Sequence, residues 1–103
     1  MGTWIVVASL DDFAASDAIA IESSGREIAI FLVNGAVFAT ANRCTHGDAK
    51  LCEGFLEGHE IECPLHQGRF DVRSGQPTCA PATEAVRSYP VKVEGGRVWL
   101  ALD

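Results

Sequence analysis

Long apolar runs are missing from this chain of 103 residues. Nothing in it approaches the roughly 18 consecutive apolar residues of a membrane span, and the stretch Met1 to Leu10 lacks the cationic flank of an export signal. The expected location is the cytoplasm, with no membrane attachment. Positive charge is scarce as well: eight Lys and Arg stand against fourteen Asp and Glu, for a net charge of -6. That balance argues against nucleic acid and anionic lipid as partners. It is compatible both with docking on basic protein surfaces and with a charge that only keeps the protein soluble. Nucleotide-binding glycine loops are absent, with neither a Gly-x-Gly-x-x-Gly after a strand nor a Walker loop, so neither motif offers a site for a dinucleotide or a nucleoside triphosphate. Internal repeats and long amphipathic helices are absent too, and histidine is limited to His46, His59 and His66.

What is present fits one small domain, 1–103. Hydrophobic residues make up 48% of it, enough for a core, but a chain this short buries a modest share of its surface and would gain from a metal staple. The pattern is that of short strands. Trp4 to Ala8 is apolar, Ser9 to Phe13 reads as a turn or a single helical turn, and Asp17 to Glu22 reads as a second strand. Glu27 to Val33 carries β-branched and aromatic residues at consecutive positions, which implies burial on both faces. Asn34-Gly35 is a two-residue hairpin signal leading into Ala36 to Ala41. Near the end, Tyr89 to Glu94 alternates, with Val91 and Val93 on one face. After Gly95-Gly96, Val98, Leu100 and Leu102 resume the buried face, while Arg97, Trp99 and Asp103 point outward. Trp99 is expected to cover the sheet rather than to bind a ligand.

Between these parts, from Arg43 to Pro81, regular periodicity stops, apart from strand-like pieces at Glu60 to Cys63 and Arg69 to Val72. A stretch of this length without regular structure is usually functional or disordered. Two motifs decide for function: Cys44-Thr45-His46-Gly47 and Cys63-Pro64-Leu65-His66-Gln67-Gly68, with sixteen residues between His46 and Cys63. Each offers one thiolate and one imidazole from a glycine-bearing loop. A zinc finger usually takes two Cys from one knuckle and two His from a following helix. One of each per loop better suits a two-iron centre with unlike irons, one held by Cys44 and Cys63 and the other by His46 and His66. Zinc remains the alternative, since thiolate and imidazole serve both metals.

These motifs, with Glu60-Ile61-Glu62-Cys63-Pro64-Leu65-His66-Gln67-Gly68-Arg69-Phe70-Asp71-Val72, Cys79-Ala80-Pro81 and Tyr89-Pro90-Val91-Lys92-Val93-Glu94, resemble the Rieske ferredoxins of bacterial aromatic-ring-hydroxylating dioxygenases. The resemblance is weakest over the first 25 residues. It implies an all-β fold, an antiparallel β sandwich base formed by 1–42 and 82–103 with a cluster-binding subdomain, 43–81, inserted between its strands. It also implies one Rieske [2Fe-2S] cluster per chain, held by Cys44, His46, Cys63 and His66, with both imidazoles at an exposed tip. The chain would then be a one-electron carrier, expected to be a monomer, between an NAD(P)H-dependent flavoprotein ferredoxin reductase and a terminal oxygenase. With two histidines committed, the two His and a carboxylate of an oxygenase's mononuclear iron are not available. The other readings are the small subunit of an assimilatory nitrite reductase, a structural zinc-binding module, and a redox sensor that gates a partner.

The remaining chemistry-bearing residues have plain expectations. Cys52 and Cys79 stay thiols in a reducing compartment, with Cys79 packed as a small residue near the cluster loops. His59, in the polar turn Glu57-Gly58-His59-Glu60, is expected to be solvated and not a metal ligand. High-potential Rieske proteins of respiratory chains add a cysteine to each cluster loop, and a serine and a tyrosine after the second histidine. This chain has no such cysteines and carries Gly68 and Phe70 at the latter positions, which implies a low reduction potential.

Overall fold

The computed structural model describes residues 3–45, 48–65, 67–80 and 82–101. Among the described residues, eleven short strands account for most of the regular structure. They are β1 (Trp4–Ser9), β2 (Ala18–Ser23), β3 (Arg26–Val33), β4 (Ala36–Ala41), β5 (Phe55–Glu57), β6 (Glu60–Glu62), β7 (Arg69–Asp71), β8 (Pro77–Cys79), β9 (Ser88–Tyr89), β10 (Val91–Glu94) and β11 (Arg97–Ala101). They form three antiparallel sheets, ordered β1-β11-β10, β2-β3-β4-β9 and β5-β6-β7-β8. The first two make the expected sandwich base. The third lies entirely between Arg43 and Pro81 in sequence, as an inserted lobe. No helix among the described residues is long and apolar enough to cross a membrane.

β3 is the shared wall of the molecule. Successive side chains of a strand point to opposite faces. Ile28 and Ile30 accordingly face one core, with Val37, Ala39, Tyr89, Val98 and Leu100. Ala29, Phe31 and Val33 face another, with Cys44, Leu51, Ile61, Cys63, Phe70 and Val72. All four residues from Ile28 to Phe31 are fully buried, as the two-sided pattern requires. The β3–β4 hairpin turns on Asn34-Gly35, both with positive φ (50° and 83°), and sets Val33 opposite Ala36. Such a turn matches the right-handed twist of its strands and so fixes their register. At the start of the chain, the expected helical turn is a 3-10 turn over Leu10–Phe13. Ser9 caps it through its hydroxyl, and the Asp12 carboxylate accepts from the Ser9 amide at 2.9 Å.

Two expectations change at the far end. The alternating run Tyr89 to Glu94 is not one strand: Pro90, which has no amide hydrogen, divides it. β9 pairs with β4, and β10 with β11, so the chain changes sheets at this residue. Val93 is 42% exposed, although it alternates with Val91, because it lies at the end of β10 beside the Gly95-Gly96 turn. Trp99 does cover its sheet. Its indole donates to the Glu94 carbonyl at 3.3 Å, and the Lys92 ammonium lies 5.5 Å from its ring and 4.8 Å from that of Trp4. Leu102 and Asp103 lie outside the described residues.

At Gly75 the lobe backbone lies close against the returning chain. Its φ is +81°, and a Cβ there would lie 2.0 Å from the Val86 carbonyl oxygen. The left-handed conformation costs a non-glycine residue about 1–2 kcal/mol, and overpacking typically costs about 1–3 kcal/mol more. Gly75→Ala should therefore lower the denaturation midpoint markedly in a chemical unfolding titration. The same substitution at Gly25, where φ is +75° and open space surrounds the site, should cost only the backbone part.

Candidate metal centre

The first ligand loop leaves β4 at Asn42, a fully buried residue that uses three of its polar groups to close the loop. Its amide donates to the Glu27 carbonyl (3.1 Å), its carbonyl accepts from the Leu51 amide (2.7 Å), and its side-chain Oδ1 accepts from the Cys52 amide (2.9 Å). The Asn42 Nδ2 has no partner among the described residues. Inside this base, Arg43 bridges to Lys50 and the Cys44 amide donates to the Ala49 carbonyl at 2.9 Å. Arg43 pairs with Asp48, and Lys50 reaches Glu27 of β3 at 3.3 Å.

The second loop joins β6 to β7. The Cys63 amide donates to the Gly68 carbonyl (2.7 Å), and the Gln67 amide to the Cys63 carbonyl (3.1 Å). Gln67 adopts φ +64°, an uncommon conformation outside glycine that closes the loop tightly. Pro64 and Leu65 project outward, Leu65 with 51% of its surface exposed. Gly68 is buried against the returning chain: a Cβ there would meet the Ala82 Cβ and amide nitrogen, each at 3.0 Å.

Both loops start from a buried thiol. Cys44 is 2% exposed and Cys63 0%, in one core with Phe70, Leu51 and Ile61, and no two of the four cysteines form a disulfide. Two thiols from distant loops in one apolar core are the donor set that a cluster shielded from water requires. They fit the expected group on the cysteine side. His46 and His66, with Gly47, lie outside the described residues. Among the residues described, no group of three or more His, Cys, Asp or Glu comes together as a metal site.

The outer face of the lobe is held by ion pairs. Arg69, next to Gly68, reaches Glu57 (2.9 Å), Glu60 (3.4 Å) and Glu62 (3.0 Å), joining β5, β6 and β7. These hydrogen bonds, Glu57's first and then Glu62's, push the guanidinium pKa further up, so it stays charged. Arg73 holds the Asp71 carboxyl below its ordinary range by a bidentate contact at 2.7–3.0 Å.

Two minor expectations are corrected here. His59 is half-buried rather than solvated, with its ring edge against Phe38 of β4 at 5.7 Å and its carbonyl accepting from the Val72 amide. The tight β5–β6 turn folds back onto the base, which a polar local sequence does not reveal. Cys79 is exposed on β8, opposite Arg69, rather than packed. Cys52 instead is the half-buried thiol, against the core that contains Cys44 and Cys63.

Sequence reasoning missed the segment 82–86. Ala82 and Val86 are buried in the core of Cys44 and Cys63, and the Thr45 hydroxyl donates to the Glu84 carbonyl at 2.8 Å. Only the spacing of two small apolar residues in a polar stretch could have pointed there.

The Rieske [2Fe-2S] domain family matches residues 3–90. The ferredoxin component of the naphthalene 1,2-dioxygenase/salicylate 5-hydroxylase systems of a Ralstonia species is 51% identical over 97% of this chain and 96% of its own. The chain belongs to the Rieske ferredoxins of aromatic-ring dioxygenase systems. The ferredoxin of carbazole 1,9a-dioxygenase from Nocardioides aromaticivorans IC177 superimposes with a TM-score of 0.92 at 39% identity, covering 98% of this chain and 99% of that one. A ferredoxin solved in a complex of reduced oxygenase and oxidized ferredoxin in carbazole 1,9a-dioxygenase gives 0.88 at 34% identity, covering 98% and 94%. As a Rieske ferredoxin the chain carries a Rieske-type [2Fe-2S] cluster and works as an electron carrier, not as a catalyst. The zinc-module reading falls with that assignment. Identity near one half to a dioxygenase ferredoxin favours this pathway over the nitrite reductase reading.

Proposed function

We propose that Cys44 and Cys63 hold one iron, and His46 and His66 the other, of a cluster that receives electrons from an NAD(P)H-dependent flavoprotein reductase and delivers them to a terminal aromatic-ring oxygenase in the cytoplasm. The observation that carries this reading is the pair of buried thiols, each opening a tight loop, in a single apolar core. When bound, the cluster would supply reversible one-electron transfer and no hydride chemistry. The chain's residues do the rest. Phe70, Leu51 and Ile61 keep water from the thiolates, while the bonds Cys44 to Ala49 and Cys63 to Gly68 fix the loops from which they project. On this reading 43–81 is the cluster-binding subdomain and 1–42 with 82–103 its base. The chain acts as a monomer whose exposed Pro64 and Leu65 border the exit of the electron.

The test is reconstitution. Mixed with purified reductase and oxygenase components of a dioxygenase system, the protein should make product formation depend on NAD(P)H. A mixture that turns over equally well without the protein would refute the carrier role. Steering by the acidic surface adds a second expectation. The lobe 43–81 carries six acids and four bases, and the rest of the chain the remaining -4 of net charge. Electron delivery should slow several-fold as salt rises through ~0.1 M, where the Debye length falls to ~10 Å. A rate indifferent to salt would assign the docking to an apolar contact at Pro64 and Leu65 instead.

A further inference from the structure

The segment 82–86 touches both ligand loops at once. Its ends are anchored to the lobe, the Ala82 amide on the Cys79 carbonyl at 3.2 Å and the Val86 amide on the Gly75 carbonyl at 2.9 Å. Ala82 packs directly against Gly68 of the second loop. Between these anchors, the Glu84 carbonyl accepts a hydrogen bond from the Thr45 hydroxyl, 39 positions earlier in the chain and set between Cys44 and His46. Thr45 is an exposed residue, and water could have served its hydroxyl. The hydroxyl is committed to the protein instead. The other hydrogen bonds of the first loop, at Asn42, Cys44 and Leu51, close its base. This one ties the residue between its two proposed ligands to the segment that backs the second loop.

We propose that Thr45 is a positioning residue for the cluster: its hydroxyl latches the first ligand loop to Glu84, so that both loops keep a fixed spacing through the segment 82–86. The inference rests on the ligand assignment above. Losing the latch frees the first loop from Glu84 while the packing of Ala82 on Gly68 stays, which loosens the grip on the cluster and broadens the geometry at the iron that His46 would hold. The loss of one hydrogen bond corresponds to a change of about two- to tenfold in a rate or an equilibrium.

Thr45→Val and Thr45→Ser test it in the cluster-loaded protein. Valine keeps the branched shape at an exposed site and removes only the hydroxyl, whereas serine keeps the hydroxyl. Two readouts are followed: the rate at which the visible circular dichroism of the cluster decays under an excess ferrous chelator, and the electron paramagnetic resonance g-values of the reduced protein. Thr45→Val should lose its cluster about two- to tenfold faster with altered g-values, and Thr45→Ser should match the wild type in both. A Thr45→Val protein that binds no cluster, beside a normal Thr45→Ser, carries the same meaning. Wild-type behaviour of Thr45→Val, or a Thr45→Ser as labile as the valine variant, would overturn the latch. The control separates the two claims. A bleached Cys44→Ala beside an unaffected Thr45→Val refutes the latch alone, whereas a Cys44→Ala that keeps the wild-type spectrum refutes the ligand assignment and the latch with it.

Discussion

Replacing any one of Cys44, His46, Cys63 or His66 by Ala should abolish the visible absorption of the purified protein and its ability to support oxygenase turnover, while Cys52→Ser and Cys79→Ser leave both intact. The physical basis is an asymmetry among the four thiols. Cys44 and Cys63 lie in the lobe core, at 2% and 0% exposure. Each stands at the start of a loop closed by its own amide, bonded to Ala49 and Gly68 respectively. Cys79 is exposed on β8, and Cys52 sits on the short 3-10 turn Leu51–Glu53 with its amide bound to Asn42. A lost ligand also exposes the fold. Without the cluster, Phe70, Ile61 and Leu51 surround two thiols that hold no metal, and the small lobe sheet, with three residues per strand, loses the staple that joins its two ligand loops. The apoprotein should therefore unfold at lower temperature than the loaded one, measured by far-UV circular dichroism before and after chelation. A Cys79→Ser protein without cluster would contradict the assignment.

The reduction potential should lie near the lower end of the Rieske range, about -150 mV. Hydrogen bonds to cluster sulfur stabilise the more negative, reduced state and raise the potential. Each is worth at most on the order of 100 mV, because a bond to a charged acceptor contributes about 1.5–3 kcal/mol and both redox states share in it. The side chains here withhold such donors. Phe70 is fully buried and has no hydroxyl, Gly68 has no side chain, and the Thr45 hydroxyl donates to Glu84. Adding a serine at Gly68 would press its Cβ against Ala82 at 3.0 Å, so Phe70→Tyr is the cleaner probe. Its hydroxyl either finds cluster sulfur, shifting the potential upward by tens of millivolts on the scale above, or stays buried and unpaired at a stability cost of about 1–3 kcal/mol. Protein-film voltammetry reads the first outcome, and a thermal melt the second. A wild-type potential well above zero would contradict a role between a reduced flavoprotein and an oxygenase.

The parts of the fold set by local chemistry were legible. Asn34-Gly35 specifies its own turn, and the unbroken apolar run of β3 specifies a strand buried on both faces, here between the base core and the core of the thiols. The Cys-x-His and Cys-x-x-His motifs named the metal chemistry before any packing was known. Elements set by tertiary contact were not legible. β5 and β8 have three residues each, too short for a period to register, and exist because β6 and β7 offer edges on either side. Pro90 lies inside a run that alternates correctly on both sides of it, so the change of sheet there is invisible to periodicity. The role of 82–86 is the clearest case. In Ala82-Thr83-Glu84-Ala85-Val86 small apolar residues hint at burial but not at which loops, 14 to 39 positions earlier, they meet, since what places the segment there is the absence of a side chain at Gly68 and Gly75.

The central claim is that one iron is held by sulfur and the other by two imidazoles. With four cysteines in the chain, a cluster held by Cys44, Cys52, Cys63 and Cys79 would also be coloured and redox-active. Pulsed electron paramagnetic resonance of the reduced wild-type protein separates the two directly, because a nitrogen bonded to iron couples strongly to the unpaired electron. The account predicts two strongly coupled nitrogens, from His46 and His66. A reduced cluster with no strongly coupled nitrogen would contradict it.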